Sequence, residues 1–282
     1  VTVIPQRDLS ILSNRLAARG GRRIPETVLE RDYCLSWFFV GLSRSPSRDR
    51  VAFKGGTALK KRFFADYRFS EDLDFTLIEE TSWDEIERSL AVAFEEARTA
   101  SGVEIRLDTK DRRSRENSHT FYLAYEAPLP GSRGKTVKSD ITIRERIVLG
   151  LEERPVLRGY AEYRDLPEDV RVRVYSLGEV AAEKAVALLD RARNEPRDLY
   201  DLWFLTVNGH VRLPDLRDPV AQKLEFRGLT LARVAGEFAA NEARLKKLWH
   251  VRLAAQLAEL PEFEAAYREV RRALRQARIA GR

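Results

Sequence analysis

The sequence predicts an α+β fold, with a mixed α/β domain over residues 1–175 and a mostly helical domain over residues 176–282. Three observations carry that prediction. Short runs rich in β-branched and aromatic residues, bounded by turn residues, recur between residues 51 and 175. Two long helical patterns, residues 25–42 and 82–100, are interleaved with them. After Ser176 a period near 3.6 dominates to the end of the chain.

In chain order, residues 25–42 read as a helix. Pro25 suits a first turn, where its missing N–H would be unpaired anyway, and Glu26 and Glu30 suit the positive end of the dipole. Residues 44–50 are a polar connector. Residues 51–53 form a short buried strand ended by Gly55 and Gly56, and residues 57–64 a helix that the glycines open. A turn at residues 68–71 leads into a strand over 73–78. Ser82 caps the helix over 82–100, with Glu85 placed for a capping box. Strands are predicted over 103–107, 120–125, 136–143 and 170–175, with turns over 111–118 and 128–134. Helices follow over 177–192, 196–205, 229–249 and 251–278.

Composition narrows the chemistry. The 282 residues are 44% apolar, enough for a packed core. Cys34 is the single cysteine and His119, His210 and His250 are scattered, which excludes an internal disulfide and argues against zinc chemistry. No apolar run approaches the ~20 residues of a membrane span, and the first residues carry no basic-then-apolar leader, so a cytoplasmic location is expected by elimination. With 50 basic against 44 acidic residues the net charge is +6, compatible with a polyanionic partner without demanding one.

The informative segment is Phe53-Lys54-Gly55-Gly56-Thr57, followed by Arg68-Phe69-Ser70-Glu71-Asp72-Leu73-Asp74-Phe75. A strand ending in two glycines lets backbone N–H groups approach an anion, and the following helix start favours phosphate. Asp72 and Asp74 are two apart at a strand start, so their carboxylates share one face. Two carboxylates beside a phosphate cradle suit magnesium. Asp140, in a strand where Lys138, Asp140 and Thr142 share one face, is either a third ligand or part of an ordinary polar face. Lys60, Lys61 and Arg62 lie near this segment, and Arg271, Arg272, Arg275, Arg278 and Arg282 form a basic C-terminal helix and tail; both suit the backbone phosphates of RNA, and the tail suits a solvated surface helix equally well. Trp203 and Trp249 suit either base stacking or a helical core.

These blocks, with Glu30-Arg31-Asp32-Tyr33 before them and Glu183-Lys184-Ala185-Val186-Ala187-Leu188 and Arg197-Asp198-Leu199-Tyr200-Asp201-Leu202 after them, resemble the AbiEii/AbiGii nucleotidyltransferase family, which includes toxins of toxin–antitoxin systems such as the MenT group. The resemblance covers roughly residues 25–205. It implies a polymerase-β-like nucleotidyltransferase core followed by helices. It implies that Gly55, Gly56, Thr57 and Lys60 contact the nucleotide, that Asp72 and Asp74 bind magnesium or manganese, and that Asp140 joins them. Lys184 would reach the triphosphate, and Asp198 or Asp201 would complete the site from the helical half. Ser70 matches a serine at which a phosphate would silence the enzyme. The reading is transfer of a nucleoside monophosphate from a nucleoside triphosphate to the 3′ end of tRNA, with a cognate antitoxin as partner. A protein or small-molecule acceptor, and a catalytically dead module that sequesters nucleotide or RNA, are the competing readings.

Overall fold

A helix that is apolar on nearly every side has to be covered on nearly every side, and the run from Leu29 to Leu42 meets that demand at the centre of the first half. The computed structural model describes residues 3–18, 23–131, 135–191, 193, 195–257 and 259–281, the side chains of 109 and 110 excepted. The chain divides into two compact units, Val1–Glu145 with Glu152–Val174, and Arg146–Leu151 with Tyr175–Arg282.

The first unit contains α1 (Gln6–Ala18), α2 (Glu26–Ser43), β1 (Val51–Lys54), α3 (Gly55–Ala58), β2 (Leu73–Leu77), α4 (Trp83–Ser101), β3 (Glu104–Arg115), β4 (Ser118–Glu126), β5 (Thr136–Thr142), β6 (Leu151–Pro155) and β7 (Arg171–Tyr175). Among the described residues the strands form one mixed sheet in the order β3-β4-β5-β2-β1-β7-β6. β2 pairs antiparallel with β1 and parallel with β5. The α+β prediction therefore holds. Phe39, Phe53 and Phe75 weld α2 to the sheet, with ring centroids 4.4 Å and 5.2 Å apart along that chain of contacts. On its other side α2 crosses α4 so closely that a Cβ on Gly41 would lie 2.0 Å from the Ala93 carbonyl oxygen. The capping box of Ser82 and Glu85 is formed.

Several elements depart from the sequence reading. β3 runs on to Arg115, so most of the turn expected over 111–118 is strand and the reversal is confined to residues 116–117. The helix expected over 57–64 starts earlier, at Gly55, and widens into a π turn over Leu59–Phe63, where the Phe64 N–H reaches the Leu59 carbonyl at 2.9 Å. α1 and β6 lie in stretches with no predicted element. Residue 192, the predicted end of one helix, and residues 132–134 of a predicted turn lie outside the described residues.

That π turn buries what the sequence offered as an RNA-binding cluster. Lys60 donates to the Ala65 and Tyr67 carbonyls at 3.0 and 3.3 Å and to the Tyr160 hydroxyl at 3.3 Å. Lys61 pairs with the Asp32 carboxylate at 2.8 Å, and burial pushes its amine down to about 8 despite that partner. Arg62 is 1% exposed, its three guanidinium nitrogens have no hydrogen-bond partner, and it lies 4.3 Å from the Phe39 ring centroid. Burial alone pushes it down to about 9. A buried charge with no partner is costly, whereas a linear apolar chain of similar length costs nothing to desolvate. Arg62→Met is therefore expected to stabilise the protein by about 1–4 kcal/mol, read as a higher denaturant midpoint at unchanged slope. An unchanged or lower midpoint would show that the contacts with the two phenylalanine rings outweigh desolvation.

The second unit holds α5 (Leu177–Leu189), α6 (Pro196–Val207), α7 (Arg217–Phe226), α8 (Leu231–Val234), α9 (Glu237–Ala240), α10 (Glu242–Leu253) and α11 (Phe263–Gln276). The helix predicted over 229–249 is broken at Gly236 and Asn241, and the one over 251–278 is interrupted by Pro261, which cannot supply a helical N–H. α7 was not predicted. On α11, Phe263, Ala266, Tyr267, Val270 and Leu274 are buried at helical spacing. Trp249 is core rather than a stacking platform: it is 4% exposed and donates to the Pro261 carbonyl at 2.9 Å.

Candidate active site

Strand pairing builds the site. Lys54, the last residue of β1, stands opposite Asp74 on β2, and Asp74 stands beside Asp140 on β5. Residues in register across neighbouring strands point to the same face. Asp72, just ahead of β2, lies close enough to the Lys138 ammonium of that face to act on its charge. All three aspartates are half-buried. Thr120 on β4 is opposite Asp140 and donates its hydroxyl to that carboxylate, and the Lys138 ammonium pairs with the other oxygen. Burial works against the charge on Lys138, but the carboxylate of Asp140, then those of Asp72 and Asp74, outweigh it and raise its proton affinity. One ammonium thus feels all three acids.

The glycines are placed by contact as well as by conformation. Gly55 has φ +78°, and a Cβ there would lie 2.5 Å from Asp74 Oδ2, so the loop packs directly on the carboxylate. At Gly56 a Cβ would lie 2.3 Å from an Arg68 guanidinium nitrogen. Arg68 is 2% exposed and so brings a buried cation against the loop, a role the sequence reading did not give it. Its position in the Arg68-Phe69-Ser70 turn was the only available signal. The Thr57 hydroxyl donates to the Asp72 carbonyl at 2.6 Å. It therefore holds the acidic turn against the glycine loop. Ser70 is half-buried in the same turn.

The structure does not bring Lys60 to this face, since its amine is enclosed by the Ala65–Tyr67 carbonyls and lies 4.2 Å from the Phe69 ring centroid. Its expected nucleotide contact is corrected to a structural role. The Glu30-Arg31-Asp32-Tyr33 block is likewise bracing: Glu30 pairs with Lys135 at 2.9 Å, Arg31 with Glu71 at 3.0 Å, and Tyr33 with Asp165.

In the helical unit the Lys184 ammonium sits 2.6 Å from Asp198 and 2.9 Å from Asp201, clamping α5 to α6. The arginines of α11 are exposed, and Arg268, Arg271, Arg272 and Arg275 line an open groove of about 570 Å³. Arg282 lies outside the described residues.

The carboxylate face offers oxygen donors only, the set that magnesium or manganese takes. Among the described residues no three histidines, cysteines or acids are already gathered as a finished metal centre. Both Asp140 oxygens are engaged, by Thr120 and by Lys138, so a cation held there would have to displace Lys138.

The sequence profile of the family described as nucleotidyl transferase AbiEii toxin, type IV toxin–antitoxin system, matches residues 37–275. No curated protein matches the sequence. Among solved structures, the nucleotidyltransferase toxin MenT4 of Mycobacterium tuberculosis is similar, with a TM-score of 0.64 and 19% identity over 92% of this chain and 87% of that one.

Proposed function

The chain belongs to the AbiEii nucleotidyl transferase toxin family, and from that premise we propose that it moves a nucleoside monophosphate from a nucleoside triphosphate to the 3′ end of tRNA, blocking aminoacylation and translation. The observation that supports this most is the transverse row of Lys54, Asp74 and Asp140, with Asp72 just ahead of β2 and the glycine loop packed on Asp74.

In this reading the acceptor hydroxyl attacks the α-phosphate in line and pyrophosphate leaves. Asp72, Asp74 and Asp140 are the groups that would hold magnesium or manganese, which supplies Lewis-acid stabilisation of the phosphoryl oxygens when bound. The backbone N–H groups of Gly56 and Thr57 take the charge that accumulates on the leaving pyrophosphate. Lys184, which the resemblance assigns to the triphosphate, is held by Asp198 and Asp201. Asp140 would either share in holding that metal or accept the acceptor's proton. Phosphate on Ser70, two residues before Asp72, would set like charge beside the carboxylates and silence the site. A cognate antitoxin is the expected partner, and the cytoplasm, where tRNA is found, is the proposed location. Among the described residues no helix is long and apolar enough to cross a membrane.

The test is incubation of the protein with total tRNA, magnesium and each α-labelled nucleoside triphosphate in turn. Label is expected on tRNA with at least one nucleotide, and none after chelation of the metal. Well-folded protein that labels tRNA with none of the four would overturn the tRNA reading.

A further inference from the structure

The row of polar residues across the sheet does not stop at Asp140. Thr120 stands opposite Asp140, and Arg113 on β3 stands opposite Thr120, so the row reads Lys54, Asp74, Asp140, Thr120, Arg113 across five strands. Arg115 stands opposite Ser118 on the same face. A bulge puts these two arginines there. Before it, Asp108 is opposite Tyr122. Continued without interruption, that register would set Arg112 opposite Ser118. The irregularity between Asp108 and Arg113 shifts the pairing by an odd number of residues. Arg112 consequently turns to the opposite face, where its guanidinium lies 4.9 Å from the Trp83 ring centroid, and Ser114 meets His119 at 3.0 Å. A bulge that re-aims side chains beside an active site is a recurring device of antiparallel sheets.

We infer that Arg113 and Arg115 form a phosphate-binding pair that seats the backbone of the acceptor RNA on the carboxylate face. The inference rests on the tRNA reading above and gives it a binding surface. Both side chains are exposed, and among the described residues neither is held in an ion pair. They are two residues apart on one strand, hence about 7 Å apart, on the scale of successive phosphates in an extended strand. Arg113 is two strands from Asp140, about 10 Å at the usual strand spacing, within reach of a substrate that bridges them. Position on the sheet separates the two substrates. The glycine loop that serves the triphosphate follows β1, on one side of the carboxylates, and the arginines lie on β3, at the sheet edge on the other side. Phosphates of a polynucleotide bound there would be neutralised by guanidinium groups, which prefer planar contacts to phosphate oxygens.

The test is binding of labelled total tRNA to the full chain over a salt series, beside binding of labelled nucleoside triphosphate. The variant R113A/R115A is expected to bind tRNA at least about tenfold more weakly. The slope of log affinity against log salt should become shallower by roughly 1.4–1.8 for two lost phosphate contacts. Triphosphate binding should be unchanged, and R113K/R115K should restore most of the slope. If the unaltered protein binds tRNA and R113A/R115A binds it equally well, the arginine pair is overturned and the tRNA reading stands. If the unaltered protein binds no tRNA, that reading falls and takes this inference with it.

Discussion

Asp74→Ala is expected to lower nucleotidyl transfer by about a thousand-fold or more while the protein still unfolds at or above its normal midpoint. The two halves of that expectation have separate grounds. Asp74 is the centre of the row, in register with Lys54 on one side and Asp140 on the other, and Gly55 lies against its carboxylate. No neighbouring acid can occupy its place. Removing it relieves repulsion among three half-buried carboxylates and gives up attraction to the Lys138 ammonium, two effects of opposite sign, so the fold loses little. Asp72→Ala should behave alike, because alanine keeps the contact from the Thr57 hydroxyl to the backbone carbonyl of residue 72. Asp74→Asn preserves shape and removes charge, and should be nearly as inactive. Initial rates of label transfer and thermal melts of the same preparations check all three. A folded Asp74→Ala protein working at the normal rate would remove the carboxylate row from the mechanism.

The same residues show why part of the site can be read from sequence. Two glycines and two aspartates at alternate positions are local statements: the turn needs Gly55 and the shared face needs spacing of two. The run Lys60-Lys61-Arg62 misleads because exposure is not a local property. Its burial depends on a π turn and on Asp32, Ser36 and Tyr160, which lie elsewhere in the chain. Arg68 on Gly56 and the bulge that turns Arg113 toward the carboxylates are equally silent in a linear reading, since register across strands decides them. In the second half, amphipathic spacing marked helical content, but Gly236 and Pro261 divide it differently from the apolar pattern alone.

Lys223→Met is expected to destabilise the helical unit by about 3–5 kcal/mol, the largest stability loss anticipated for a single side chain here. Lys223 on α7 and Glu179 on α5 are both fully buried, with the ammonium 2.6 Å from the carboxylate. The ammonium also donates to the Arg146 carbonyl at 2.8 Å, and the second Glu179 oxygen accepts the N–H groups of Val148 at 3.1 Å and Leu149 at 2.7 Å. The same ammonium lies 3.6 Å from the Glu183 carboxylate, so this cluster ties two helices and the 146–149 segment together within the helical unit. Methionine fills the space but leaves the Glu179 charge buried with only the backbone donors. Removing both charges in Lys223→Met/Glu179→Met should recover a substantial part of the loss, because a desolvated pair is expensive to keep and more expensive to halve. Chemical unfolding of the single variants and the double variant, combined as a thermodynamic cycle, isolates the pair. A Lys223→Met protein as stable as the original would mean that the backbone donors alone satisfy Glu179, and that packing rather than charge holds the segment in place.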